Sequence, residues 1–102
     1  MDDWKRYDGK PLYINLTAIL EADRSLETME LAMDLAMLAW WPTKAAFTWD
    51  EKRILTLLNG ARPWRGYTLK TLRGNMEAVR CFFTVLADRR WTPSPRFFSL
   101  VN

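Results

Sequence analysis

Histidine is absent from the 102 residues, and cysteine occurs once, at Cys81. Without histidine the commonest general base and the usual zinc-binding nitrogen are missing, so acid–base and zinc chemistry lose their ordinary carriers. A lone cysteine cannot close an intramolecular disulfide, which fits a reducing compartment. Glycine is scarce too: there are four, and none falls in a phosphate-cradling loop or a serine nucleophile elbow. No apolar run reaches the roughly 20 residues of a membrane span. The closest approach, Leu31 to Trp41, is short and is interrupted by Asp34. The opening Met1-Asp2-Asp3-Trp4 has neither the basic start nor the apolar stretch of a secretory signal. These absences argue against an enzyme, a metalloprotein and a membrane protein. They lead to the expectation of one cytoplasmic domain over residues 1–102, without cofactor or metal.

What is present is a charge divided along the chain. Residues 1–51 carry five basic side chains against ten acidic ones, a net of −5; residues 52–102 carry ten against two, a net of +8. A half-chain that basic attracts polyanions, and nucleic acid is the first partner it suggests.

Turn residues and hydrophobic spacing divide the chain into elements. Residues 1–11 read as irregular, with a turn at Asp8-Gly9-Lys10-Pro11. Leu12 to Leu16 has the composition of a short strand. From an N-cap at Ser25, apolar residues at Leu26, Met29, Met33, Met37 and Trp40 predict a first helix that stops at Pro42. Glu27, Glu30 and Asp34 are expected to form its acidic outer stripe. A capping box, Thr48-x-x-Glu51, predicts a second helix to Asn59 with Gly60 as its left-handed terminator. A basic, aromatic loop follows at 61–67. A third helix is expected over 68–83, with Leu69, Leu72, Met76, Val79 and Phe83 inward and Lys70, Arg73, Glu77 and Arg80 outward. Cys81 reads as a small buried hydrophobe. The remainder reads as a hairpin of Phe83–Leu86 and Trp91–Phe98, with Pro93 and Pro95 assigning the return strand to an edge. The fold expected is mainly α with a small β-hairpin: a winged helix-turn-helix of three helices and a C-terminal wing.

Three basic elements then form the candidate nucleic-acid site. Lys70, Arg73 and Arg80 on the third helix would enter the major groove, where arginine can bind guanine through two hydrogen bonds. Arg89 and Arg90 at the hairpin tip, with Arg96 beyond, would neutralise phosphates without reading sequence. Arg62 and Arg65 in the loop would join them. Each group also has a plainer use, since charge solvates a helix face and guards a sheet edge against aggregation. Among the six tryptophans, Trp40 and Trp41 are expected to be structural. Trp64 and Trp91, each close to arginine, are the candidates for stacking on a base or a partner protein. The carboxylates Glu27, Glu30 and Asp34, read as exposed, lack the enclosure that acid–base work requires.

The stretch from Leu31 to Phe97 resembles the YdaU-like family of phage and prophage proteins of unknown function. The likeness rests on Leu38-Ala39-Trp40-Trp41-Pro42, Trp49-Asp50-Glu51, Leu57-Leu58-Asn59-Gly60-Ala61-Arg62, Val79-x-x-Phe82-Phe83, Asp88-Arg89-Arg90-Trp91 and Arg96-Phe97. The resemblance implies a phage or prophage origin, a winged-helix-like domain and a role near replication. It supplies no catalytic residue. Two functions are therefore expected of such a chain in a bacterial host. The first is binding of double-stranded DNA. The alternative is docking on a host protein or ribonucleoprotein complex as an inhibitor, in the manner of an anti-CRISPR protein on its effector. Self-association through the acidic first helix is a third possible contact.

Overall fold

Asp8 and Gly9 both adopt positive φ, 49° and 69°, the requirement of a tight hairpin turn whose twist matches its strands. In the computed structural model, which describes residues 3–10, 12–40 and 46–100, that turn joins β1 (Trp4–Arg6) to β2 (Leu12–Asn15). The N-terminal segment is thus a strand where irregular chain was expected. Trp4 pairs with Asn15 and Arg6 with Tyr13. β2 buries Leu12 and Ile14 and leaves Tyr13 half-buried, the alternation of a strand covered on one face.

The strand ends at Asn15 because that side chain caps a short helix, α1 (Leu16–Glu21), which the hydrophobic pattern did not announce. Asn15 Oδ1 accepts from Ala18 N at 3.1 Å, and its Nδ2 donates to the Arg96 carbonyl at 3.1 Å. One buried side chain thereby starts the helix and holds the C-terminal segment.

α2 (Leu26–Trp40) begins where its sequence indicated, with Thr28 N donating to Ser25 Oγ. Leu31, Ala32, Leu35, Ala36, Leu38 and Ala39 are all buried, so this helix is the axis of the core. Trp41 lies outside the described residues.

β3 (Phe47–Thr48) precedes α3 (Glu51–Ala61). The cap is Asp50, whose Oδ1 accepts from Arg53 N at 3.3 Å; Thr48 is committed to the strand, so the expected capping box does not form. Gly60 stays within the helix, which closes at Arg62. A 3-10 turn over Pro63–Arg65 and a left-handed Gly66 lead to α4 (Leu69–Val79), capped by Thr68. α4 ends four residues earlier than expected, tightening into a 3-10 turn over Arg80–Phe82 that seats Phe82 in the core.

β4 (Phe83–Val85) and β5 (Arg90–Pro93) form the expected hairpin, but β5 is the central strand of a sheet ordered β3-β5-β4. The prolines explain how. Leu86 N donates to the Arg90 carbonyl and Ser94 N to the Phe82 carbonyl, so the nitrogen of Pro93 points away from β4. Among the described residues β3 pairs only with Arg90 and Trp91, and Pro93 lies past its end. Pro95 sits in a turn closed by Phe97 N on the Ser94 carbonyl. The chain then crosses to β6 (Phe98–Leu100), which joins β1 and β2 in a second antiparallel sheet ordered β1-β2-β6.

The chain is a mixed α/β globule, about half helical, with four helices and two small antiparallel sheets among the described residues. This corrects the expectation of three helices and a lone wing. An aromatic seam joins the sheets: Phe83 packs at 5.9 Å from both Trp91 and Phe98. Among the described residues no helix is long and apolar enough to cross a membrane.

Candidate nucleic-acid interface

α4 turns Leu72 and Val79 into the core and leaves Lys70, Arg73, Glu77 and Arg80 exposed, as the helical spacing required. The cations differ in their ties. Arg73 Nε lies 2.7 Å from Glu51 Oε2 on α3, while Arg80 approaches Glu77 only to 4.0 Å. Lys70 forms no ion pair among the described residues. These contacts are solvent-exposed and worth at most about 1 kcal/mol each, so they leave the side chains able to change partners.

The hairpin tip follows directly. Arg89 takes a left-handed φ of 67° and closes the turn through its N–H on the Leu86 carbonyl. Its guanidinium makes no ion pair among the described residues. Arg90 is held by Asp88, with 2.7 Å between Nε and Oδ2. That contact keeps the Asp88 carboxyl below its usual range, chiefly through the Arg90 hydrogen bonds. Arg96, in the turn before β6, lies over the Phe97 ring at 5.3 Å and is otherwise exposed.

Arg62 and Arg65 are elsewhere, in a cluster whose centre is Asp34. Asp34 is fully buried, which overturns the expected outer stripe on the first helix. The Tyr7 hydroxyl donates to Oδ1 at 2.5 Å and the Tyr67 hydroxyl to Oδ2 at 2.6 Å. Arg65 Nε donates to Oδ2 at 3.1 Å, and Arg62 Nε lies 3.4 Å from Oδ1, inside ion-pair distance without hydrogen-bond geometry. Arg62 also pairs with Asp8 and donates to Met37 Sδ; Arg65 pairs with Glu30 and donates to the Tyr7 hydroxyl. The Arg62 guanidinium is flanked by the Tyr7 ring at 5.2 Å and the Trp64 ring at 5.3 Å. A buried carboxylate persists only with such pairing, because desolvating an isolated charge is prohibitive.

The cluster shifts the titration of its members. Burial, reinforced by donation to Asp34, pushes both tyrosine hydroxyls well above their ordinary 10.0, and Arg65 only partly opposes this. Partial burial works against the Arg65 charge, but the Tyr7 hydroxyl and the carboxylates of Asp34 and Glu30 outweigh it and hold the guanidinium firmly protonated. The hydrogen bond and charge of Arg62 lower the Asp8 carboxyl.

Other expectations are corrected at the same time. Trp91 is buried, stacked on Trp49 at 4.8 Å and packed against Phe47 and Phe83, so it is core and not a docking ring. Trp64, 66% exposed, keeps one face open. Cys81 is exposed rather than buried, because it lies within the 3-10 turn over Arg80–Phe82, which carries Phe82 and not Cys81 into the core. With Asp34 internal and Glu30 engaged by Arg65, α2 offers only Glu27 of its three carboxylates freely to solvent, which narrows the acidic face expected to self-associate.

The fold thus leaves Lys70, Arg73, Arg80, Arg89, Arg90 and Arg96 each exposed, buries Arg62 and Trp91, and ties the half-buried Arg65 into the Asp34 cluster. No family model, curated protein or solved structure matches the chain.

Proposed function

We propose that the protein is a non-enzymatic binder of double-stranded DNA, of winged-helix type, with α4 as the groove-facing helix and the β4–β5 hairpin as its wing. The observation that carries this reading is the exposed cationic face of α4 followed immediately by an arginine-tipped hairpin. The element order α2–β3–α3–α4–β4–β5 and the sheet order β3-β5-β4 support it, because helices followed by a hairpin are the succession a winged helix uses, with α4 leading through one 3-10 turn into β4. In this reading Arg73, Lys70 and Arg80 approach base edges and phosphates, and Arg89, Arg90 and Arg96 contact backbone. A place near phage or prophage replication in a bacterial host rests on the family resemblance alone, and a cytoplasmic setting on the lone Cys81.

The test is the salt dependence of binding to a mixed-sequence duplex. With three to five phosphates neutralised, log K should fall against log salt with a slope of about −3 to −5. Absence of binding at low salt overturns the reading. It would turn attention to a host protein partner, for which Trp64 remains, of the two tryptophans expected to dock, as the exposed anchor.

A further inference from the structure

Gly74 stands in the middle of α4, on its exposed face, and nothing inside the protein requires it. A methyl group added at its Cα would meet no atom within 4 Å. Its backbone is not left-handed; only Gly9 and Gly66 are, among the described glycines. A glycine inside a helix weakens it relative to alanine, because it costs backbone entropy and exposes the peptide groups. Gly60 in α3 is equally uncrowded, but it occupies the last turn, next to the terminal Ala61, where helices fray in any case. Gly74 has no such excuse.

Its surroundings point outward. Lys70 precedes it by one turn, Glu77 and Cys81 follow on the same side, and Arg73 and Arg80 lie about 100–120° round the helix on one flank, all exposed. A helix with its side chains is about 10–12 Å across, and the major groove is about 12 Å wide, so a helix lying in the groove fits with little clearance. A missing side chain on that exposed face lets the helix axis come closer to the groove floor and brings the cations on its one flank within reach of phosphate.

We propose that Gly74 is the point of closest approach between α4 and duplex DNA, an inference that rests on the DNA-binding reading above. The variants Gly74→Ala and Gly74→Leu test it, with Gly60→Ala as the control for helix stabilisation itself. All three should melt higher than the parent protein, by up to roughly 4–8 °C for the alanine changes. Binding to the same mixed-sequence duplex should be unchanged in Gly60→Ala, weakened in Gly74→Ala, and weakened by about tenfold or more in Gly74→Leu, the usual scale for forcing atoms into a filled contact. Gly74 variants that bind as well as the parent overturn the close-approach assignment and leave the DNA reading intact. Gly74 variants that melt lower show that the helix itself needs the glycine, and also overturn it. A parent protein that binds no duplex overturns the reading beneath.

Discussion

Arg62 and Arg65 differ from Arg89 and Arg90 in almost every physical respect, although all four are arginines from the same basic half of the chain. Arg62 is 2% exposed and surrounded by Asp8, Asp34, Tyr7 and Trp64; Arg89 is solvated and makes no ion pair among the described residues. The first pair joins the N-terminal hairpin, α2 and the α3–α4 connection through one buried carboxylate. The second pair stabilises little beyond its own turn and is free to meet a partner. Charge counted along a sequence therefore overstates charge presented at a surface. The fold sets Asp8, Glu30, Asp34 and Glu51 from the acidic half against Arg62, Arg65 and Arg73 from the basic half. Those contacts cancel much of the asymmetry internally.

The contrast is broken most severely at its centre. Asp34→Ala removes the shared acceptor and leaves two arginines and two tyrosine hydroxyls without their partner, so a loss of about 3–5 kcal/mol is expected in urea unfolding. A variant with near-parental stability would show that the cluster is not what holds the segments together. Arg62→Ala should fall in the same range, whereas Arg89→Ala should leave stability within about 0.5 kcal/mol.

The tryptophans give a parallel pair. Trp91→Ala empties a site lined by Trp49, Phe47 and Phe83 and should cost about 3–5 kcal/mol. Trp64→Ala loses an exposed contact with the Arg62 guanidinium and should cost about 1 kcal/mol or less. Equal losses in thermal melts would erase the distinction between core ring and surface ring.

Alkaline titration sharpens the comparison further. The hydroxyls of Tyr7 and Tyr67 are raised on folding, so their contribution to stability is complete below their ordinary value of 10.0 and is lost as pH rises above it toward the folded values. The urea midpoint should fall between about pH 10 and 11, and the double change Tyr7→Phe, Tyr67→Phe should flatten that fall. An unchanged decline in the double variant would place its origin outside the cluster.

The smallest effects concern affinity alone. Arg89→Ala should weaken binding to all duplexes alike and reduce the salt slope by about 0.9, whereas Arg73→Ala should relax preference at one or two base pairs. Mobility shifts on a panel of duplexes separate the two patterns.

Much of this molecule could be read from its residues. The apolar run located α2, although Leu26 of the expected pattern is exposed and Met29 and Met33 are only half-buried; spacing located the inner face of α4, Ser25 marked a helix start, and Asp8-Gly9 marked a turn, because each depends on local backbone chemistry or on spacing along one element. Asp34 carried a signal that its neighbours made legible: a single carboxylate inside the otherwise apolar turns from Leu31 to Ala39 belongs to a helix buried on nearly all sides. That carboxylate must be either paired or excluded. What the sequence could not supply was the identity of the partners. Tyr7, Arg62, Arg65 and Tyr67 lie 27 to 33 residues from Asp34, and only the packing of the hairpin and the α3–α4 connection against α2 brings them to it.

Local sequence by itself determined the Asp8-Gly9 turn, where α2 and α4 begin and which face of α4 meets water. The tertiary structure alone decided which arginines lie inside and which remain outside, that Trp91 is core while Trp64 is not, and that β5 is the central strand of its sheet. The physical reason is that helix period and turn chemistry act over a few residues. The burial of a charge or a ring is settled by contacts between segments far apart in the chain.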